Sequence, residues 1–546
     1  MTRTRCRLLR LMVAVLLAIP FAHDALAADR VKTTNGIVEG TGPQSSGVRM
    51  FKGIPFAAPP VGSLRWKAPE PVKDWQGVRQ ATQFGPRCMQ QPIFGDMNFR
   101  SNGMSEDCLY LNVWTSAASA TDKLPVLVYF YGGGFRAGDG SEPRYDGESM
   151  ARRGIVAITV NYRLAEFGFF AHPELTKESA HHASGNQGLL DQVAALRWVK
   201  QNIAAFGGDP AKVTIAGESA GSIAVSALMT SPIARGLFAR AIGESGAMIA
   251  PTTPPVPLAD AERIGTQFAA SAGAASLEAL RAMSTQQIVD AAAKPGAVRF
   301  PAAIDGYFLQ APPVDTFAAG GQAHVPLLVG SNSQENGPRQ LLGDDPPTLE
   351  GFTSAVRRQF TVGADEVLKA YAPSKPEDVE QAATDLASDR FIAYSTWKWM
   401  ESHGRTGGSP VFYYYYSRPR PAMTAAMGNA VPGLAGGVTR GAGSVANRPP
   451  PPRGAAHSAE IEYAMGNLAT NTVFAWTPDD FKVSQVMQAY FANFIKAGNP
   501  NGAGLPKWQA ANDGAEVHRM RIDVEPRLEP ETRTPRYRVL EKVYGK

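Results

Sequence analysis

The chain has 546 residues, of which 44% are hydrophobic and 19% are charged, and its formal net charge is +5. This balance is that of an ordinary globular protein, and a chain of this length can bury a core of ample size. The charge forms no basic stripe and the chain contains no recognisable nucleic-acid module, so we predict no nucleic-acid partner.

The first residues predict a secretory signal. Four arginines precede an apolar run at residues 11–22, and Ala25 and Ala27 are small residues suited to cleavage. A run of about 12 residues is too short to span a bilayer, and no other apolar run is long enough, so we expect no stable membrane anchor. We predict that residues 1–27 are removed and that the protein is periplasmic or secreted. The remaining residues 28–546, which we predict to form one domain, carry a net charge of +2, because four arginines and one aspartate leave with the signal.

The next part of the chain is rich in predicted strands. Short β segments at residues 31–38 and 49–56 are followed by two nearly continuous apolar runs at residues 124–130 and 155–160. Such runs are typical of strands that are covered on both faces, as in a mostly parallel sheet.

Two cysteines, Cys88 and Cys108, remain after cleavage of the signal. An even pair in an exported chain predicts a disulfide, which closes a loop of about 20 residues and contributes about 3 kcal/mol. A zinc site is the weaker interpretation, because two cysteines without nearby histidines cannot supply four ligands. We therefore predict no metal site.

A helix and a sharp turn follow. Residues 186–206 carry apolar residues at spacings of three and four, which indicates an amphipathic helix packed on the sheet. A strand ending near Ala216 then leads into Gly217-Glu218-Ser219-Ala220-Gly221, and a helix of small and apolar residues follows. The pattern G-x-S-x-G between a strand and a helix predicts a nucleophile elbow that exposes Ser219. The alternation of strands and helices predicts a doubly wound α/β fold.

The second half of the chain is more helical. We predict strands at residues 325–330 and 411–416 and a final clear helix at residues 484–496. Between them, residues 418–456 contain 23 glycines, alanines and prolines in 39 positions. Such a composition buries little apolar surface, so we predict a mobile surface loop within the same domain.

A nucleophilic serine requires a base and an acid. Imidazole removes the hydroxyl proton, and a carboxylate holds the imidazole in the right tautomer. After an elbow of this kind the chain order is serine, acid, histidine. Four histidines follow Ser219: His324, His403, His457 and His518.

The chain resembles the type-B carboxylesterases, the cholinesterase-like branch of the α/β hydrolases, over nearly all of residues 31–544. The resemblance is carried by the elbow and by six other stretches: FKGIPFA at residues 51–57, EDCLYLNV at 106–113, YGGGF at 131–135, VNYRL at 160–164, the segment 185–209, and HSAEIEY at 457–463. It implies an α/β-hydrolase fold, with helices on both faces of a mostly parallel central sheet, N-terminal β hairpins and a helical C-terminal region.

The resemblance also implies the other two catalytic residues. The family places its histidine where His457 stands, whereas His403 and His518 lie in no motif. Its acid follows a strand in the pattern Gly-x-Asn-x-x-Glu, which residues 330–335 match, so we predict Glu335. This chain departs from the family in having Asn336 before the next glycine. Asp305 is the rival carboxylate, although its setting is typical of a turn.

The glycine run 132–134 follows a predicted strand. No Lys-Ser or Lys-Thr follows it, which argues against a phosphate-binding loop. We predict instead that the N–H groups of Gly133, Gly134 and Ala220 form an oxyanion hole. The resemblance implies that Glu218, Asn161 and Ser245 are supporting polar residues, because relatives bury polar side chains at these positions and buried polar groups must be paired.

These features together predict a serine carboxylic-ester hydrolase that works through an acyl-enzyme and needs no cofactor. We expect a small to medium substrate, an apolar or aromatic ester. One alternative is an esterase acting on polymeric or cell-wall esters, with residues 418–456 gripping the polymer. The other is a catalytically silent binding or adhesion relative, since the same fold has members of that class.

Overall fold

The computed structural model describes residues 29–440 and 452–545. The predicted secretory signal therefore lies outside the described residues. Within the described ranges, no helix combines the length and the apolar character needed to cross a membrane.

A ten-stranded sheet forms the centre of the molecule. The described residues contain these strands: β1 Asp29–Lys32, β2 Ile37–Gly40, β3 Arg49–Pro55, β4 Val78–Gln80, β5 Arg87–Cys88, β6 Met104–Ser105, β7 Tyr110–Thr115, β8 Leu124–Phe130, β9 Val156–Val160, β10 Gly208–Glu218, β11 Arg240–Glu244, β12 Val256–Pro257, β13 Ala303–Ile304, β14 Leu327–Asn332, β15 Val411–Tyr416, β16 Val431–Pro432, β17 Val438–Thr439, β18 His518–Ile522 and β19 Arg527–Pro530. The order in the large sheet is β19-β18-β15-β14-β11-β10-β8-β9-β7-β3.

Seven neighbouring strands of this sheet, from β9 to β18, run parallel, and antiparallel strands complete both edges. Successive residues of β9, β11 and β14 are nearly all buried, so both faces of the sheet are covered. The carboxyl ends of β8, β10 and β14 consequently meet at one edge.

Helices connect and cover the strands. In the described residues they are α1 Glu148–Ala151, α2 Ala165–Gly168, α3 Pro173–Glu178, α4 Gln187–Asn202, α5 Ala220–Thr230, α6 Leu258–Ser271, α7 Leu277–Ala282, α8 Thr285–Ala293, α9 Pro313–Ala318, α10 Arg339–Leu342, α11 Leu349–Gln359, α12 Ala364–Ala370, α13 Val379–Ser388, α14 Tyr394–Thr406, α15 Ile461–Met465, α16 Pro478–Ala497 and α17 Thr534–Tyr544. A π-helical turn, Asp389–Ala393, joins α13 to α14. Helices α4, α5 and α16 pack against β10 and hold the central strand in place.

Most predicted elements agree with the structure, but the first predicted strand does not. Residues 31–38 form the end of β1, a turn and the start of β2, because Thr33 N donates to Gly36 O and reverses the chain. The dipeptide Asn35-Gly36 is a strong turn signal, and it decides the local structure here.

The predicted disulfide is present, joining Cys88 to Cys108. The predicted loop 418–456 is described in part, because residues 441–451 lie outside the described residues. In the described part, β16 and β17 form a small antiparallel hairpin. Arg420, which precedes the hairpin, forms an ion pair with buried Glu462, so this part of the loop is attached to the body of the protein.

Candidate active site

Ser219 occupies a strained turn between β10 and α5. Its backbone has φ 54° and ψ −118°, a conformation that residues other than glycine rarely adopt. A Cβ on Gly217 would lie 2.7 Å from Phe130 O, and a Cβ on Gly221 would lie 2.0 Å from the same oxygen. Only glycine fits at both positions, so the turn has the geometry that the G-x-S-x-G motif predicts.

The structure brings together the three side chains predicted as the catalytic triad. His457 Nε2 lies 2.9 Å from Ser219 Oγ, and His457 Nδ1 lies 2.7 Å from Glu335 Oε2. With the proton on Nδ1, the imidazole donates to Glu335 and accepts from the serine hydroxyl. This is the geometry that nucleophilic serine catalysis requires.

The other candidates lie elsewhere. His324 and His403 contact the backbone oxygens of Gly320 and Val325, and His518 contacts Glu516. Asp305 accepts hydrogen bonds from the N–H groups of residues 307, 308 and 309, so it stabilises a turn, as its setting in the sequence indicated.

Both carboxylate oxygens of Glu335 are held by hydrogen bonds. Its Oε1 accepts the Asn332 N–H at 2.6 Å and the Ser245 hydroxyl, while Oε2 faces His457. The side chain is buried. Three hydrogen bonds to one carboxylate leave it a single orientation, which aligns the imidazole.

His457 is attached to the same segment as its acid. Gln334 N donates to Ala455 O at 2.9 Å, and Ala455 N donates to Ser333 Oγ at 2.8 Å. A β-bridge pairs Gln334 with Ala456. The residues that precede the acid and the base in the chain are therefore bonded to each other.

A second carboxyl group lies against the imidazole. Glu218 Oε1 is 3.2 Å from His457 Nε2, and Glu218 is buried. Burial by itself would lower the pKa of His457, but the charge of Glu218, the hydrogen bond from Nδ1 to Glu335 and the charge of Glu335 outweigh burial and raise this pKa to about 9. The sequence identified Glu218 only as a supporting residue, because its proximity to His457 depends on the fold.

The glycine turn lies beside the nucleophile. A Cβ on Gly132 would lie 3.2 Å from Ser219 Cβ, and one on Gly133 would lie 2.0 Å from Ala137 O. In the described part of the chain, the N–H groups of Gly133 and Gly134 have no hydrogen-bond partner, and the Ala220 N–H opens α5. These three predicted donors thus lie where two chain turns meet, next to Ser219.

The remaining supporting residues are buried and hydrogen-bonded, as predicted. Asn161 Oδ1 accepts the Gly140 N–H at 2.9 Å, and Ser245 donates to the acid. Across residues 29–440 and 452–545, no group of three or more His, Cys, Asp or Glu side chains is placed to hold a metal ion.

Comparisons with known proteins identify the family of the chain. A family model described as the carboxylesterase family matches residues 27–540. The chain is 33% identical over 525 residues to a fumonisin B1 esterase of Sphingopyxis macrogoltabida, covering 92% of this chain and 88% of that protein. It is 32% identical over 541 residues to the cocaine esterase of Homo sapiens, covering 93% and 90%.

Solved structures are also similar. A PNB esterase superposes with a TM-score of 0.76 at 29% identity, covering 94% of this chain and 99% of that one. A carboxylesterase of Geobacillus stearothermophilus superposes with a TM-score of 0.76 at 29% identity, covering 93% and 99%.

Proposed function

The chain belongs to the carboxylesterase family and is a carboxylic ester hydrolase; from that premise we propose that it cleaves esters through an acyl-enzyme on Ser219. The observation that carries the proposal is the pair of contacts from His457, at 2.9 Å to Ser219 Oγ and at 2.7 Å to Glu335 Oε2. The substrate is a small to medium ester with an apolar or aromatic body.

The first half of the reaction forms the acyl-enzyme. Ser219 Oγ attacks the ester carbonyl while its proton passes to His457 Nε2, and Glu335 stabilises the resulting imidazolium. The N–H groups of Gly133, Gly134 and Ala220 stabilise the oxyanion, and loss of one such donor typically raises the barrier by about 2.7–4 kcal/mol. The alcohol leaves with the proton held on Nε2.

The second half restores the enzyme. His457 takes a proton from water, the hydroxide attacks the acyl carbonyl, and Ser219 Oγ leaves and regains the proton. Glu218 contributes in both halves, because its carboxyl group lies 3.2 Å from the nitrogen that becomes positively charged.

Replacement of the nucleophile tests the mechanism. Ser219→Ala should lower kcat for a 4-nitrophenyl ester by about 10⁵–10⁶-fold, since removing a triad serine costs about this much. Ser45→Ala, at an exposed serine, is the matched control and should keep wild-type kcat. An organophosphonate should label the wild type on Ser219 alone. Near-normal kcat in folded Ser219→Ala would reject the mechanism, and a folded wild type that neither turns over esters nor takes the label would favour a binding relative.

We also propose that the protein is exported and that its signal is removed after Ala27. The disulfide between Cys88 and Cys108 is consistent with an oxidising compartment. Intact-mass measurement of the protein recovered outside the cytoplasm should find a chain that begins at Ala28. A recovered chain that retains residues 1–27 would contradict the proposal.

A further inference from the structure

A cavity of about 540 Å³ opens beside the glycine turn of the active site. Gly134, one of the predicted oxyanion donors, lies at one end of it, and a Cβ on Gly134 would meet nothing within 4 Å. The walls are largely apolar, with Phe135, Phe169, Met248 and Phe300 among the lining residues. The cavity therefore shares Gly134 with the predicted oxyanion hole.

The charged lining residues are mostly cationic. Arg136, Lys294 and Arg299 line the cavity together with a single acid, Glu166. Lys294 Nζ donates to Ser271 O at 3.0 Å, and Arg299 is exposed. The cavity thus combines largely apolar walls with an excess of positive charge. Such a lining suits a ligand that joins an apolar body to a negatively charged group.

Among the cations that line the cavity, Arg136 is the nearest in sequence to the glycine turn. Its N–H donates to Gly133 O at 3.1 Å, so its backbone is part of the same turn as the predicted oxyanion donors. Its side chain is half-buried. Among the described residues, no carboxylate lies within 4.0 Å of its guanidinium and no side-chain hydrogen bond satisfies it. By contrast, the buried guanidinium groups of Arg144 and Arg163 are paired with Glu142 and Asp191.

Glu166 cancels this charge only in part. Its carboxyl group is buried, and burial outweighs the bond from its own backbone and the charge of Arg136, raising its pKa to about 7. The raised pKa favours the uncharged form of Glu166, which leaves the guanidinium of Arg136 without a neutralising charge.

We propose that this cavity binds a carboxylate group of the substrate through Arg136, so that the preferred esters join an apolar or aromatic body to an acidic group. A guanidinium binds a carboxylate through two parallel hydrogen bonds, which gives direction as well as charge. This inference rests on the proposed function, because it places the reacting ester at Ser219.

The test compares acidic esters with neutral esters of matched size. For an acid on the acyl side, the pair is mono-4-nitrophenyl glutarate and 4-nitrophenyl pentanoate. For an acid on the alcohol side, the pair is 4-acetoxybenzoate and 4-acetoxybenzamide. The quantity measured is the ratio of kcat/KM for the acidic ester to that for the neutral ester, and the pair that responds to substitution shows which side of the ester enters the cavity.

Arg136→Gln should lower this ratio about tenfold or more in one of the two pairs, since hydrogen bonds to charged groups are worth about that much. Arg136→Lys should give a ratio between those of the wild type and Arg136→Gln. Lysine keeps the positive charge but cannot donate two parallel hydrogen bonds to a carboxylate. Glu166→Gln should raise the ratio, because it removes the only acid in the lining. Arg197→Gln, at an exposed arginine of α4 that does not line the cavity, is the matched control and should leave the ratio unchanged.

A ratio that Arg136→Gln leaves unchanged in both pairs, in a protein with wild-type thermal unfolding, would overturn the proposal. The proposed function would then still stand, provided that Ser219→Ala abolishes turnover of the neutral esters. Turnover that survives Ser219→Ala would instead reject the proposed function itself.

Discussion

At the scale of single residues, His457, the proposed general base, is surrounded by carboxyl groups. Glu218, Glu335 and Glu460 are all buried, and each of them favours the protonated form of His457. Burial opposes them, yet the balance raises the pKa of His457 to about 9. The imidazole must be uncharged to accept the Ser219 proton, so its protonation sets the acidic limit of activity.

Glu218→Gln should move the acidic limb of the kcat/KM profile to lower pH. The substitution removes a negative charge 3.2 Å from Nε2, and a charge at that distance raises the pKa of an imidazole by about one unit or more. The midpoint of the limb, measured with a substrate that does not titrate in the range, should fall by about that amount. Glu278→Gln, at an exposed glutamate, is the control, and an unshifted midpoint in Glu218→Gln would show that the carboxyl group is uncharged throughout.

Single residues could be proposed from the sequence where a local motif carries them. Ser219 lies in an elbow pattern and His457 begins the stretch HSAEIEY, and the structure brings these two side chains together. The position of Glu218 against His457 was not predicted, because 239 positions separate the two residues and only the fold joins them. Arg136 belongs to no pattern, and its unpaired guanidinium is visible only once the cavity is formed.

At the scale of elements, the contact between β8, β10 and α5 determines the position of the nucleophile. Gly217 and Gly221 both abut Phe130 O, the last carbonyl of β8. Strand and helix can approach this closely because neither residue has a Cβ. The strain at Ser219 is maintained by the packing of these elements around it.

Gly221→Ala should destabilise the protein by about 3 kcal/mol or more and abolish esterase activity. The new methyl group would lie 2.0 Å from a backbone oxygen, and a central strand would have to shift to accommodate it. Urea unfolding and kcat measure the two effects. Gly337→Ala is the matched control, because its Cβ would meet nothing within 4 Å, and its stability should stay within about 0.5 kcal/mol of wild type. Equal stability of the two variants would contradict this account of the elbow.

Elements with a strong local pattern were predicted accurately. The runs at residues 124–130 and 411–416 are strands with the predicted bounds, because a continuous apolar run suits a strand with two covered faces. The small hairpin of β16 and β17 was not predicted. It is held by distant contacts, such as Gly433 packing against Asp96, that composition does not reveal.

At the scale of the whole molecule, the predicted α/β-hydrolase fold is confirmed by its relatives and by the parallel sheet. The alternation of strands and helices was sufficient to predict the class, but the strand order depends on which strands pair. The C-terminal part of the chain is joined to this sheet by β18 and by a buried ion-pair network. Glu531 binds Arg519 and Arg533, and both guanidinium groups stack on Tyr415 of β15.

Glu531→Gln should lower the free energy of unfolding by about 3 kcal/mol at neutral pH, and the loss should vanish in acid. Burial would raise the pKa of Glu531, but Arg533 and Arg519 outweigh burial and lower it from 4.5 to about 2. A carboxyl group whose pKa is lower in the folded state stabilises the fold at pH values above its unfolded pKa of 4.5. This stabilisation disappears as the pH falls from 4.5 to 2. Chemical unfolding of both proteins at pH 7, 4 and 3 measures the difference. Glu516→Gln, at an exposed glutamate, is the control, and a difference independent of pH would contradict the assignment.

The bridge between Gln334 and Ala456 links the chain segments that carry Glu335 and His457. A displacement of these two paired segments relative to the elbow would separate the His457 imidazole from the Ser219 hydroxyl. The contact between His457 and Glu335 would remain. The acid and the base are therefore positioned relative to Ser219 as one unit, and a change in either segment alters the position of both side chains.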